Sequence, residues 1–180
     1  MQYLKIPKER VPVLIGEKGA VKHDIEKRTK TKVDIEDSSV CVGTTQENYM
    51  DELVAGNIVL AIGRGFNPET AMLLLREDYT LEVISLRDYA NTPSALDRIK
   101  GRVIGTNGKA RKNLEELTGT CISVYGKTIS IIGSYDDVAS SKGAVSMLIG
   151  GARHASVYRF LEKRKSLRRY EHFEGKSPGI

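Results

Sequence analysis

An internal repeat constrains this chain more than any other feature of its sequence. Residues 14–19 read LIGEKG and residues 103–108 read VIGTNG, so two G-x-x-G loops stand 89 positions apart. A strand-like segment follows each loop at the same offset, and further on Ile62-Gly63 corresponds to Ile149-Gly150 at an offset of 87. The repeat predicts two copies of one structural unit.

Both copies have the same predicted order of secondary structure around the loop. A strand leads into a short helix, which Thr92 caps in the second copy. An amphipathic helix follows the loop, and two short strands and a long helix complete each copy. Thr44 with Glu47, and Ser134 with Asp137, have the spacing of capping boxes at the start of the long helices. The apolar faces of these long helices are predicted to be core, and they comprise Met50, Leu53, Val54, Ile58, Ala61, Ile62, Val138, Val145, Leu148 and Ile149.

This order, with a G-x-x-G loop between the first two helices, resembles the type I KH domain, and the resemblance covers nearly the whole chain twice. It implies an α+β fold of two type I KH domains (β-α-α-β-β-α). Each would be a three-stranded antiparallel sheet packed on three helices, with an added helix. We place the first domain at residues 1–78 and the second, with a basic C-terminal helix, at residues 79–180. In KH domains the loop grips the backbone of about four unpaired nucleotides while their bases lie in an apolar groove.

The two loops differ in charge, and the second is the better predicted clamp. The first carries Glu17 beside Lys18, and a carboxylate there opposes the attraction of a cation for phosphate. Thr106 and Asn107 of the second loop are neutral. The first ninety residues hold 12 Lys and Arg against 15 Asp and Glu, whereas the last ninety hold 16 against 8. We expect the second domain to be the principal RNA grip, and the first to be weaker or turned toward a protein partner.

The candidate RNA-binding residues surround these loops, because glycine lets the backbone approach phosphates, cations neutralise them, and aliphatic side chains can contact bases. The main set is Arg102, Val103, Ile104, Gly105, Thr106, Asn107, Gly108, Lys109, Arg111, Lys112 and Ile122. The secondary set is Ile15, Gly16, Glu17, Lys18, Gly19, Lys22 and Arg153. Hydrophobic core is the alternative role for the aliphatic residues. A further basic surface for a longer RNA strand, with a solvated helix face as its alternative, comprises Arg153, His154, Arg159, Lys163, Arg164, Arg168 and Arg169.

Other chemistries find little support in the sequence. Cys41 and Cys121 are the only cysteines, and their β-branched neighbours favour small buried side chains over a disulfide framework. The three histidines share no metal-ligand spacing with them, so we predict no metal and no other cofactor. No catalytic constellation stands apart from the repeat, so we expect no enzyme. Because the chain has neither a membrane-length apolar run nor a signal-peptide pattern, we expect a cytoplasmic protein without membrane contact.

Two phrases resemble one particular family. Residues 62–69 read IGRGFNPE and residues 102–109 read RVIGTNGK, similar to the archaeal and eukaryotic ribosome-assembly KH family called partner of Nob. The resemblance implies binding of single-stranded RNA near the 3′ end of the small-subunit rRNA precursor, and assistance or regulation of the Nob endonuclease that trims it. It also implies other small-subunit assembly or initiation factors as partners. Eukaryotic members lack a proper first loop, so Gly16 and Gly19, together with the short chain, favour an archaeal-type member. We expect a monomer.

The residues also leave two other functions open. The chain could be a KH-type subunit or adaptor of an RNA-degrading complex, or a protein-interaction scaffold with a secondary RNA contact. A degradative subunit of this type would usually carry an additional OB-like barrel, for which this chain has no room. The basic residues around the second loop argue against a scaffold.

Overall fold

The computed structural model describes residues 1–44 and 48–174, with side chains to residue 167. All strands of the first repeat pair antiparallel, in the order β1-β3-β2. Turns of 3-10 helix precede α1 and follow α4. The elements of this repeat are β1 (Gln2–Lys5), α1 (Val11–Ile15), α2 (Ala20–Thr29), β2 (Thr31–Glu36), β3 (Ser39–Thr44), α3 (Tyr49–Gly63) and α4 (Pro68–Ala71).

The second repeat has the same architecture, with sheet order β4-β6-β5 and antiparallel pairing throughout. Its first strand begins at Tyr79, the residue at which we divide the chain. The predicted α+β fold of two type I KH units is confirmed. The elements are β4 (Tyr79–Ser85), α5 (Pro93–Ile104), α6 (Lys109–Thr118), β5 (Cys121–Tyr125), β6 (Thr128–Ser134), α7 (Tyr135–Ile149) and α8 (His154–Glu174).

Side-chain caps set the starts of α5 and α7 as predicted. Thr92 Oγ1 accepts a hydrogen bond from the Ala95 amide at 3.3 Å, with Pro93 at the first helical position. Ser134 Oγ accepts one from the Asp137 amide at 3.4 Å. Because these caps satisfy amides that have no partner within the helix, they fix where each helix begins.

The start of α3 differs from the prediction. Asn48 is its N-cap and accepts a hydrogen bond from the Met50 amide at 3.3 Å, so the helix begins beyond the predicted Thr44 cap. Glu47, the other member of that predicted capping box, lies outside the described residues. The prediction that Met50 and Leu53 are core is wrong, since they are 66% and 49% exposed.

Strand β6 joins the two repeats. Ile129 and Ile131 pack in the core of the second repeat, whereas Ile132 packs in the core of the first, with Phe66 and Leu74. Neighbouring residues of a strand point to opposite faces of the sheet. The second sheet therefore has its own helices on one face and the first repeat on the other, which fixes the two KH units together.

Polar contacts reinforce this junction. Ser123 Oγ donates to the Arg64 carbonyl at 2.9 Å, and the Tyr125 hydroxyl donates to Glu9 Oε1 at 2.7 Å. The guanidinium of Arg10 lies 5.8 Å from the centre of the Tyr125 ring. The hydrogen bond between Tyr125 and Glu9 lowers the pKa of the carboxyl and raises that of the phenol. The IGRGFNPE segment therefore lies at the junction of the repeats rather than in a glycine loop.

Candidate nucleic-acid interface

The two glycine loops have nearly the same backbone. Gly16 has φ 74° and ψ 179°, and Gly105 has φ 71° and ψ 177°. The third loop residue, Lys18 or Asn107, is left-handed in both, with φ 50° and 53°. Asparagine adopts that conformation more readily than lysine does. Both loops therefore present the same backbone to a ligand, and they differ in their side chains and surroundings.

The two glycines of the second loop serve different purposes. A Cβ on Gly105 would lie 2.5 Å from the Cβ of Ala110 and 2.8 Å from its amide nitrogen. The φ and ψ of Gly105 also fall in a region that is essentially restricted to glycine. A Cβ on Gly108 would meet no neighbouring atom within 4 Å. The fold requires the first glycine, while the second leaves open space at the N-terminus of α6, where helix amides favour an anion.

Cations are concentrated at this end of α6. Lys109, Arg111 and Lys112 are exposed in its first turn, whereas Lys22 is the only cation at the equivalent positions of α2. Positive charge at a helix N-terminus opposes the helix dipole, so three cations there are unfavourable unless an anion binds. The carboxylates one turn along α6 lie 3.8 Å from Arg111 and 3.9 Å from Lys112. Such exposed, long ion pairs contribute little, which leaves both side chains free to turn toward phosphate.

The first repeat offers a weaker version of this arrangement. Glu17 and Lys18 are both exposed, so the loop itself carries no net charge. Lys22 is half-buried and lies 3.9 Å from the Glu26 carboxylate. The structure thus brings the secondary predicted residues of the first loop together, but with less positive charge than at the second loop.

The helix that precedes the loop is much longer in the second repeat. Ile6 and Leu86 are equivalent, because each donates its amide to the turn between the last two strands of its own sheet. Ten positions separate Ile6 from Gly16, but nineteen separate Leu86 from Gly105. At about 1.5 Å per residue, α5 extends roughly 18 Å and α1 roughly 8 Å. The second repeat therefore has the longer wall along which several bases could lie.

A cavity of about 420 Å³ separates this wall from the turn between β5 and β6. Leu96, Lys100 and Ile104 follow one another at i, i+4 spacing on one face of α5, so the cavity continues the wall that ends at the loop. Lys127 lines the cavity from the strand turn and is not among the RNA-binding residues predicted from the sequence. Only the fold brings it opposite α5. The lining residues are Asn91, Pro93, Leu96, Asp97, Lys100, Gly126 and Lys127.

Two predicted base-contact residues lie in the core instead. Val103 is 0% exposed and Ile122 is 3% exposed, because both pack against the helices of the second repeat. A base cannot reach them in this conformation. Ile104 is partly exposed and Ile15 is 37% exposed, so the accessible aliphatic positions are those next to the first glycine of each loop.

Arg102, another predicted contact residue, connects α5 to the end of α7 through hydrogen bonds. Its Nε donates to the Leu148 carbonyl at 3.0 Å and its Nη2 to the Ala152 carbonyl at 2.6 Å. Arg10 donates in the same way to the Ile62 carbonyl at 2.8 Å and to the Phe66 carbonyl, which lies just beyond α3. Since Ile62 and Leu148 accept equivalent bonds, the long helices correspond at an offset of 86 residues, as their bounds do, and not at the predicted 87.

A carboxylate protects the strand edge that borders each groove. Glu115 Oε1 accepts the Ile122 amide at 2.7 Å, and Glu26 Oε1 accepts the Val33 amide at 2.9 Å. Each Glu belongs to the helix that follows a glycine loop. The bond satisfies an amide on the outer edge of the sheet, where no further strand pairs, and it ties that strand to the helix.

Helix α8 begins beside the second loop. His154 Nε2 lies 2.7 Å from the Arg102 carbonyl, three residues before Gly105, and Arg153 is exposed immediately before the helix. The predicted secondary contact Arg153 therefore lies at the same end of the domain as the second loop.

Metal and membrane chemistry can be judged for the described residues. Among the side chains of residues 1–44 and 48–167, no group of three or more His, Cys, Asp or Glu could hold a metal ion. Cys41 and Cys121 are free and partly buried. Burial raises the pKa of the Cys121 thiol, and the negative charge of Glu115 raises it further. No helix in the same part of the chain combines the length and apolar character needed to cross a bilayer.

Comparison with known proteins gives the family. A family model described as "Eukaryotic type KH-domain (KH-domain type I)" matches residues 80–166, and a general KH-domain model matches residues 1–49. A KH domain-containing protein of Methanocaldococcus jannaschii is 47% identical over 97% of this chain and 78% of its own length. The pre-rRNA-processing protein PNO1 of Chaetomium thermophilum is 26% identical over 73% of this chain, which spans only 52% of that protein.

A solved structure agrees with these matches. The crystal structure of an a/eIF2alpha–aDim2p–rRNA complex from Pyrococcus horikoshii contains a chain that is 47% identical, with a TM-score of 0.86. The match covers 92% of this chain and 93% of the other. Fold and sequence identity over nearly the full length agree, and the chain therefore belongs to the Dim2/PNO1 family of KH-domain proteins.

Proposed function

We propose that this protein binds single-stranded RNA in small ribosomal subunit assembly, near the 3′ end of the small-subunit rRNA precursor. The observation that carries the proposal is the second loop, where an open glycine turn meets the unpaired N-terminus of α6 and three exposed cations. Membership of a family that includes a pre-rRNA-processing protein and an rRNA-bound Dim2p supports the ribosomal role.

Phosphate binding accounts for the charge distribution of the second loop. Backbone phosphates would lie against Gly105 to Gly108 and the first amides of α6, where the dipole and the amide donors favour anions. Lys109, Arg111 and Lys112 would neutralise the next phosphates. Each contact with a single strand steepens the salt dependence of log K by roughly 0.7, so three contacts would give a slope of about −2.

The bases would lie along the longer wall of the second repeat. Ile104 offers an accessible aliphatic surface next to the clamp, and the cavity between α5 and the strand turn continues it. Lys100, between Leu96 and Ile104 on this wall, and Lys127 on the strand turn can meet polar base edges or a further phosphate. This arrangement suits unpaired bases, because a duplex would keep them stacked and inaccessible to a groove of this kind.

The first repeat would then make a secondary contact with RNA or with a protein. Its backbone is ready for phosphate, but Glu17 cancels the charge of Lys18 and the preceding wall is short. The initiation factor subunit in the solved complex suggests that a protein of that kind is also a partner of this chain.

Control of endonuclease access follows from the proposed grip. A protein that holds the rRNA 3′ region unpaired, in a fixed orientation, would present a cleavage site to a Nob-type endonuclease or cover it. The rigid pairing of the two repeats through β6 supports a fixed presentation over a flexible tether.

Crosslinking in cells tests this function. The protein is crosslinked to RNA, purified and its RNA sequenced, alongside a Thr106→Asp/Asn107→Asp variant that places two negative charges in the clamp. We expect the crosslinked sequences to concentrate at the 3′ end of small-subunit rRNA precursors and to be depleted in the variant. Crosslinks spread over messenger RNAs would instead indicate a messenger-binding regulator, and copurification with a degradative complex would indicate the adaptor role.

A further inference from the structure

Helix α8 continues beyond its buried residues, and residues 162–167 are exposed. The helix spans His154–Glu174, which corresponds to roughly 31 Å at about 1.5 Å per residue. Val157 and Leu161 anchor its first half, with 0% and 2% exposure. Every residue from Glu162 to Leu167 is exposed, so the helix continues past its last buried anchor. The first repeat has only the short helix α4 and a 3-10 turn at the equivalent place.

The projecting part of α8 is cationic. The cations Arg159, Lys163, Arg164 and Lys165 are exposed. Between positions 159 and 165 the only acidic residue is Glu162. None of the four makes an ion pair with a side chain of residues 1–44 or 48–167. The guanidinium of Arg164 lies 5.7 Å from the centre of the Phe160 ring, one turn earlier in the helix. Adjacent like charges on a projecting helix repel one another, and a polyanionic partner would relieve that repulsion.

Two carboxylates lie near one side of this segment. Arg164 and Lys165 line a cleft of about 220 Å³ with Glu116 and Asp137, at the C-terminal end of α6. Lys163 does not line that cleft, and with Arg159 it lies on the side of α8 opposite to Val157 and Leu161. Arg159 and Lys163 therefore form an outward cationic face that points away from these carboxylates.

Helix α8 begins beside the RNA clamp. The first residue of α8, His154, is bonded to Arg102 at the end of α5, next to the glycine loop. The helix then runs along α6, from its loop end past its C-terminus, where Arg164 and Lys165 stand opposite Gly119. An RNA strand that leaves the clamp on this side meets Arg153 first and the cations of α8 next.

We propose that the outward face of α8, with Arg159 and Lys163, binds the phosphates of an RNA strand beyond the nucleotides held in the second groove, after the strand has passed Arg153. The inference rests on the proposed RNA-binding function and extends its site. A lipid surface is less well matched, because Val157 and Leu161 are already buried and, among residues 162–167, Leu167 is the only large apolar residue.

A length-dependent binding measurement tests this. The probes are nested fragments of the small-subunit rRNA 3′ region that share a core of about six nucleotides, slightly more than the four of one KH groove, and extend it on either side to about 24. The variant Arg159→Gln/Lys163→Gln removes the two charges of the outward face while keeping good helix formers. The control Lys27→Gln/Lys30→Gln removes the same charge from exposed positions of the first repeat.

We expect the α8 variant to bind the short fragment like the wild type, and to bind one of the long fragments about tenfold or more weakly. Its salt slope on that fragment should fall by up to about 1.4, two contacts at roughly 0.7 each. The control should retain most of the long-fragment affinity. Equal affinity of wild type and α8 variant for all fragments would overturn the inference, as would an α8 effect no larger than that of the control.

Two further outcomes keep this test separate from the proposed function. If the wild type bound none of the fragments, the proposed function itself would fail. If the variant lost binding to anionic phosphatidylserine vesicles but not to long RNA, the surface would belong to a membrane contact and the inference would be wrong. Circular dichroism of the variants establishes that α8 remains helical in each comparison.

Discussion

The first glycine of the second loop should be far more important for stability than the last. We predict that Gly105→Ala destabilises the protein strongly, whereas Gly108→Ala is nearly tolerated. Both glycines have positive φ, at 71° and 75°, so a simple requirement for a flexible residue would make the two substitutions equivalent. Their surroundings distinguish them, because only the Cβ added at Gly105 meets another part of the chain.

The magnitudes follow from these surroundings. At Gly105 the glycine-only φ and ψ cost a non-glycine residue about 1–3 kcal/mol. The added methyl also lies 2.5 Å from Ala110 Cβ and 2.8 Å from its amide nitrogen, and overpacking of this kind costs about 1–3 kcal/mol more. At Gly108 the left-handed conformation costs about 1–2 kcal/mol, and alanine recovers about 0.4–1 kcal/mol through the unfolded chain. We expect Gly105→Ala to lower the free energy of unfolding by about 3 kcal/mol or more, and Gly108→Ala to lower it by about 1 kcal/mol.

Urea unfolding followed by far-ultraviolet circular dichroism measures both losses against the wild type. The comparison is direct because the two variants add the same methyl group to the same loop. A native stability of about 5–15 kcal/mol leaves Gly105→Ala measurable unless the protein is at the low end of that range. Equal losses for the two variants, within about 0.5 kcal/mol, would refute the steric argument.

Three smaller predictions concern other contacts of the structure. Glu115→Ala should cost about 1–3 kcal/mol and speed amide exchange at Ile122, while Glu115→Gln, which keeps an acceptor, should cost clearly less. The lowered pKa of Glu9 means that its bond to Tyr125 stabilises the fold above the ordinary carboxyl pKa of 4.5 and is lost as the pH falls through the folded value. Tyr125→Phe should therefore weaken the pH dependence of stability in that acidic range, as acid titration followed by circular dichroism will measure. The raised pKa of Cys121 should make its alkylation by iodoacetamide slow at neutral pH in the folded protein and faster in urea, as mass spectrometry will show.

The repeat and its local signals were sufficient to predict the fold. Two loops at a fixed offset, a cap at Thr92 and a capping box at Ser134 each correspond to an observed element. These signals depend on neighbours in sequence, which is why they could be recognised without a structure. The start of α3 was misjudged because Asn48, which forms the cap, competes with a similar residue four positions earlier.

The candidate site was only partly predictable. Val103 and Ile122 adjoin predicted RNA-binding elements, but which face of a helix or strand is buried depends on packing against other elements. Arg102 looked like a phosphate ligand, yet its partners are carbonyls 46 and 50 residues away. The role of Lys127 likewise arises from a turn that folds back opposite α5. Such long-range juxtapositions leave no periodic trace in the sequence.

The central claim is that the second loop is the principal RNA clamp. Thr106→Asp/Asn107→Asp and Lys18→Asp provide a matched pair, because each lowers the charge of its loop by two and each leaves two carboxylates in the x-x positions. Aspartate is also tolerated in the left-handed conformation that Asn107 and Lys18 share. Circular dichroism controls for folding in both variants.

The decisive measurement is the affinity of both variants for a fluorescent single-stranded fragment of the small-subunit rRNA 3′ region. We predict that the second-loop variant binds tenfold or more weakly than the wild type, which corresponds to about 1.4 kcal/mol, and that Lys18→Asp loses less. Equal losses in the two variants, or a larger loss for Lys18→Asp, would contradict the assignment of the clamp to the second loop.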